Sequence, residues 1–157
     1  MFDTSTIHGT GEGIRALVVE RTVGTDPLSA WRDWTSSDSL TAWWPVPRTN
    51  IELRVGGPIE LFFDPDAPPG ARGSEGCRFL AYVPGEMVSF TWNAPPHLAL
   101  RPVNTWVVIT FSDGGDGHTD VRLVHTGFLD GDDWDAYLAY FESAWSQVLD
   151  LQVAHHA

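Results

Sequence analysis

The stretch from Trp134 to Gln152 limits the fold more than any other part of the chain. Trp134, Leu138, Phe141, Trp145, Leu149 and Gln152 recur at helical steps, the spacing that stacks side chains on one face of an α-helix. Tyr137 and Val148 widen that stripe, while Glu142, Ser146 and Asp150 occupy the other side. A helix of about 20 residues with so broad an aromatic face must lie across an apolar surface supplied by the rest of the chain. Acidic residues crowd its start, at Asp130–Asp135, so Asp132 or Asp133 is expected to cap it, with carboxylates near the positive helix end.

Most of what precedes this helix reads as strands. Residues 1–13 are polar and Gly-rich and read as a loose leader, and one domain is expected over residues 14–154. Ile14–Val23 is a strand by its β-branched content. Asp26-Pro27 opens a helix, with Asp as N-cap and Pro at the first helical position. Leu28, Trp31 and Trp34 then share one side. Ser37 or Asp38 is expected to cap a second short helix, ending at Trp44-Pro45 because a residue before Pro avoids helical angles. After Pro47 the period becomes two. Ile51, Leu53 and Val55, a Gly56-Gly57 turn, and Ile59, Leu61 and Phe63 read as a hairpin. Residues 64–74 and 94–102 are loops by composition. Further strands are expected near 75–83, 87–93, 105–112 and 119–126. Hairpin-linked strands favour an antiparallel meander. The fold class is therefore α+β: a curved antiparallel sheet of about six to seven strands, wrapped around a long C-terminal helix, with two short helices after the first strand.

Composition removes several functions. The chain has 157 residues, 43% hydrophobic and 19% charged, which fits a single folded domain. No apolar run reaches the roughly 18 residues of a membrane helix, and the leader lacks the basic and apolar parts of a signal peptide. There are 21 acidic and 9 basic residues, net −12, and every basic residue is Arg. Without a basic stripe the chain is not expected to bind nucleic acid or an anionic membrane. Without Lys it cannot form a Lys Schiff base. Cys77 is the single cysteine, so no intrachain disulfide forms and the cytoplasm is the expected location. His97, His118 and His125 lack metal-ligand spacing, there is no nucleophile elbow, and no cofactor is implied.

Alternation along the strands predicts an inner wall of Phe63, Phe79, Phe90, Trp92, Ile109, Phe111 and Leu123, roofed by Tyr137, Phe141 and Trp145. These residues either enclose a hydrophobic ligand pocket or interlock and fill it. His125, inward by the same parity, is the one polar candidate, as a ligand-orienting group or as a satisfied core histidine. No residue is singled out as catalytic. Eight Trp in one small domain are also compatible with a homodimer.

The order and spacing of several segments carry a resemblance. They are Trp31-x-x-Trp34, Trp43-Trp44-Pro45, LRVGGPIELFF at Leu53–Phe63, Gly76, PGEMVSFTW at Pro84–Trp92, HTDVRLVHTGF at His118–Phe128, and Ala144-Trp145 with Leu149. Together, over about Ile14 to Gln152, they resemble the START-like, birch-pollen-allergen-like helix-grip superfamily (SRPBCC). The nearest pattern within it is the AHSA-type domain, named for the activator of the 90-kDa heat-shock-protein ATPase. Ala144 stands where that pattern often has Gly. The resemblance implies the helix-grip fold and a cavity between sheet and long helix, taking a hydrophobic small molecule without a cofactor. It also implies two alternatives. One is a cofactor-free cyclase, dehydratase or hydrolase, which would need His125 in the pocket beside a second titratable group. The other is a chaperone-associated module like the ATPase activator, the lesser expectation because that co-chaperone carries a further N-terminal domain for which this chain has no room.

Overall fold

In the computed structural model, residues 3–9 and 13–157 are described, with side chains from residue 13 onward. The chain runs β1 (Asp3–Gly9), β2 (Arg15–Val23), α1 (Pro27–Thr35), α2 (Ser37–Thr41), β3 (Arg48–Ile51), β4 (Ile59–Phe62), β5 (Phe79–Val83), β6 (Met87–Trp92), β7 (Thr105–Gly115), β8 (His118–Phe128) and α3 (Asp132–His155). Six strands form one antiparallel sheet in the order β1-β2-β8-β7-β6-β5. Its register aligns Val88, Ile109, Leu123 and Val19 in one row and Phe90, Val107, His125 and Leu17 in the next. All eight are buried, so the predicted inward parity holds across four strands. Helix α3 lies over β2 and β8, and α1 over β6, β7 and β8. Register shifts at Arg15/Ala16, Phe79/Ala81 and Asp113/Gly115 add bends to the sheet's own twist.

The α+β helix-grip architecture is as expected, with four local differences. The leader is not loose throughout, because Asp3–Gly9 pairs with β2 from Asp3 opposite Arg21 to Gly9 opposite Arg15. Without β1, the outer edge of β2 would present unpaired N–H and C=O groups, and the β-branched Thr4, Thr6 and Ile7 suit that position. The rest of the leader call, at residues 1, 2 and 10–12, lies outside the described residues.

The strands also divide into two sheets, since β3 and β4 form a separate two-stranded ribbon. The expected first hairpin strand at Ile51–Val55 is in fact a turn. Glu52 N–H donates to Pro58 O, Arg54 N–H to Glu52 O and Gly57 N–H to Arg54 O, leaving Leu53 and Val55 exposed. A Cβ on Gly57 would stand 2.2 Å from the Glu52 carbonyl oxygen, which is why the apolar alternation stops there. The turn is tied to β5 by Gly56 N–H to Phe79 O and Phe79 N–H to Gly57 O.

The helix caps account for the last two differences. Asp26 caps α1 as expected, accepting Ser29 N–H at 2.8 Å. Helix α2, however, is preceded by Ser36 rather than starting from Ser37 or Asp38 as cap. Helix α3 starts after Gly131 with no side-chain cap. Asp130 and Asp135 instead meet Arg15, whose Nη1 lies 2.8 Å from Asp135.

Candidate functional site

Two regions compete as the site, the sealed aromatic interior and an open cleft beside it. The interior is built where α3 crosses β8. His125 is fully buried, with the Phe128 and Phe141 ring centres 4.5 and 4.8 Å from its own. Trp145 Nε1–H donates to His125 Nδ1 at 2.9 Å. An indole N–H can only donate, so Nδ1 carries no proton and the hydrogen sits on Nε2. Nε2–H then donates to Thr105 Oγ1 at 2.5 Å. The Thr105 hydroxyl stands 3.1 Å from Tyr137 Oη, which in turn donates to Val103 O at 3.4 Å. Every polar atom of this relay is satisfied within the protein. Burial pushes the His125 imidazole down to about 3 and the Tyr137 phenol up to about 12. Both groups are therefore neutral at ordinary pH, and neither exchanges a proton with a ligand.

Tryptophans fill the adjoining space. Trp34, Trp43, Trp44, Trp92 and Trp145 stand with ring centres 5.1 to 6.5 Å apart, close enough for offset or edge contacts. The indole N–H of Trp34 donates to Gln152 Oε1 and that of Trp43 to Asp33 O. Gln152 Nε2 donates to Ala30 O and to Asp33 Oδ2, and His156 Nε2 lies 2.6 Å from Asp33 Oδ2. These bonds join the last turn of α3 to α1.

The cleft, of about 540 Å³, opens on the flank of α3. Its floor is Trp44, Trp92, Phe141 and Trp145. One wall is Tyr140, Ala144, Val148 and Leu151 of α3, and the other comes from residues 63–73 and 93–101. Sequence composition made these two segments loops, but local bonds hold them in place. The Glu75 carboxylate accepts the backbone N–H groups of Gly70, Arg72 and Gly73. Arg101 donates to Ala94 O at 2.6 Å and to Gly70 O at 2.7 Å, and its Nη2 lies 3.4 Å from Glu75. Burial works to raise the Glu75 carboxyl, but the three N–H donors and the Arg101 charge outweigh it and hold it below its ordinary value. Asn93 Nδ2 completes the tie, donating to Gly73 O and Glu75 O.

Four predicted wall residues reach the cleft: Phe63, Trp92, Phe141 and Trp145. Phe63 is 44% exposed, at the rim just past β4. Phe79, Phe90, Ile109, Phe111 and Leu123 do not line the cleft and belong to the buried core. Their inward parity is right, but facing aromatics occupy the space they enclose, as in the T-shaped Phe79–Phe90 and Phe90–Trp92 pairs. His125 and Tyr137 lie behind Trp145 and Phe141, so the acid–base arrangement required of an enzyme acting through His125 is not formed. Sequence reasoning missed Tyr140, Ala144, Val148 and Leu151, a second helical stripe beside the first. It missed Trp44 and the loop residues too, because no periodicity marks them. The Cys77 thiol is buried, and that burial pushes it up to about 12, which makes it a poor nucleophile. Among the described residues, no three His, Cys, Asp or Glu side chains stand together as metal ligands, and no helix is long and apolar enough to cross a membrane.

Residues 25–155 match the family model described as activator of Hsp90 ATPase homolog 1-like protein. Solved structures share the fold. A conserved protein of unknown function, EF2215 from Enterococcus faecalis, superposes with TM-score 0.70 at 19% identity, covering 95% of this chain and 74% of that one. CalU16 from Micromonospora echinospora gives 0.69 at 16%, covering 96% and 81%. The Aha1 dimer from Colwellia psychrerythraea gives 0.67 at 17%, covering 90% and 96%. No curated protein sequence matches the chain. At these identities the solved structures speak for the fold alone.

Proposed function

Because the chain belongs to the activator of Hsp90 ATPase homolog 1-like family, whose fold hosts more than one role, we propose its function from the cleft: it binds a small hydrophobic molecule there, without a cofactor. The observation that carries this reading is the 540 Å³ hollow floored by Trp44, Trp92, Phe141 and Trp145. Its size falls within the roughly 300–1,000 Å³ of small-molecule sites, which are apolar with a few polar groups. The ligand site is therefore on the flank of α3 and not between α3 and the sheet, where the His125 relay and its aromatic neighbours lie.

Calorimetric titration with fatty acids, flavonoids and polyketide-like aromatics, alongside thermal unfolding, tests the proposal. A saturable ligand should raise the melting temperature by mass action. Ala144→Phe, which keeps α3 helical and projects a ring into the cleft, should weaken that ligand at least tenfold. Silence from the whole set, or equal binding to Ala144→Phe, would refute it. A homodimer has one support, the relative that is an Aha1 dimer; a monomer mass in sedimentation would set it aside. The cytoplasm suits a chain whose one thiol is free and buried.

A further inference from the structure

The cleft's charge runs against that of the chain. Acidic residues outnumber basic ones by 21 to 9, yet Arg72 and Arg101 both line the cleft against one carboxylate, Asp64. The two arginines are not equivalent. Arg101 is committed to structure, with Nε on Gly70 O, Nη1 on Ala94 O and Nη2 on Gly70 O and Glu75. Arg72 is held through Nε alone, which donates to Ala67 O at 2.8 Å, while its backbone N–H is fixed on Glu75. That leaves the guanidinium oriented, with its two terminal nitrogens lacking an acceptor among the described residues. An oriented guanidinium with free terminal N–H groups matches the two oxygens of a carboxylate. Across the cleft stand Tyr140, Ala144, Val148 and Leu151, which offer no charge.

We propose that the ligand is an organic acid, its aromatic or long aliphatic body along α3 and its carboxylate on the Arg72 guanidinium. This rests on the cleft being a ligand site, and the test separates the two ideas. Wild type is titrated calorimetrically with two matched pairs, naphthaleneacetic acid with naphthaleneacetamide, and decanoic acid with decanol. The acid of a pair should bind about tenfold tighter than its neutral partner, the scale of one charge-assisted contact, and this advantage should shrink with added salt. In Arg72→Gln, checked for an unchanged melting temperature, the acid-to-neutral ratio should collapse towards unity. Equal binding of acid and neutral partner by wild type would overturn the acid anchor and leave the cleft reading standing. So would an acid advantage that survives in Arg72→Gln. Absence of binding by all four probes would overturn both.

Discussion

Acid should weaken this protein through His125 in a way that can be worked out in advance. The imidazole is fully buried, and Nδ1 accepts from Trp145, so a second ring proton has no acceptor to meet. Burial holds it at about 3, against an ordinary 6.5. Between those values the unfolded chain takes up a proton that the folded chain refuses. The contribution is thus complete above 6.5 and is lost as pH falls from 6.5 towards 3. One proton per molecule is worth about 1.4 kcal/mol per pH unit, so moving from about pH 7.5 to about pH 5 should cost about 2 kcal/mol. A domain is stable by only about 5–15 kcal/mol, and such a loss should lower a urea midpoint by about 1 M. The comparison is His125→Asn, whose Oδ1 can still accept from Trp145 but which does not titrate. Its stability will be lower throughout, by an offset independent of pH. Carboxylates contribute equally to both proteins and cancel in the difference. Plotted against pH, the gap between wild type and His125→Asn should close by about 2 kcal/mol on going down to about pH 5. Parallel profiles would show that folded His125 takes up its proton normally, and the sealed relay would be wrong.

Other perturbations follow from named contacts. Glu75→Gln loses the carboxylate that gathers three backbone N–H groups and Arg101, and should cost about 1–3 kcal/mol in chemical denaturation. Because the folded state holds that carboxyl below its ordinary 4.5, its contribution is present above 4.5 and lost as pH falls through the folded value, so the variant's acid limb should be shallower. Gly127→Ala forces a side chain onto φ +100° with its Cβ 2.7 Å from the Trp106 ring; a loss of about 1–3 kcal/mol is expected, and an unchanged melting temperature would refute it. Gln152→Leu strands the Trp34 N–H, Ala30 O and one Asp33 oxygen inside the protein, and should cost about 2–4 kcal/mol in urea unfolding.

Where a segment's own period matched its burial, the sequence was readable. Helix α3 and the rows through β6, β7 and β8 are of that kind, since each buried side chain there has its spacing set by one regular element. The turn after Ile51 was misread because Leu53 and Val55 continue an apolar alternation that the backbone abandons at Gly56-Gly57. Strand β1 was hidden because its residues are mostly polar and its reason for pairing lies in β2, far along the chain. Much the same limit applied to the site. Parity identified which aromatics point inward, but whether a hollow survives depends on how facing rings interlock, which no single strand reveals. The cleft depends on residues 63–73 and 93–101, whose positions come from the Glu75 carboxylate and the Arg101 guanidinium. Nothing in the spacing of those two residues announces that they meet.

The chain of indoles also has an optical consequence. Trp34, Trp43, Trp44, Trp92 and Trp145 follow one another at ring separations of 5.1 to 6.5 Å, so excitation absorbed by one migrates to the others before it is emitted. They act as a single antenna, three members of which form the cleft floor. A quencher seated there would darken Trp34 and Trp43 as well, although it touches neither. Trp106 lies on the other side of the sheet, over Gly127 and partly open to solvent. It would go on shining, a reference lamp carried by the same molecule.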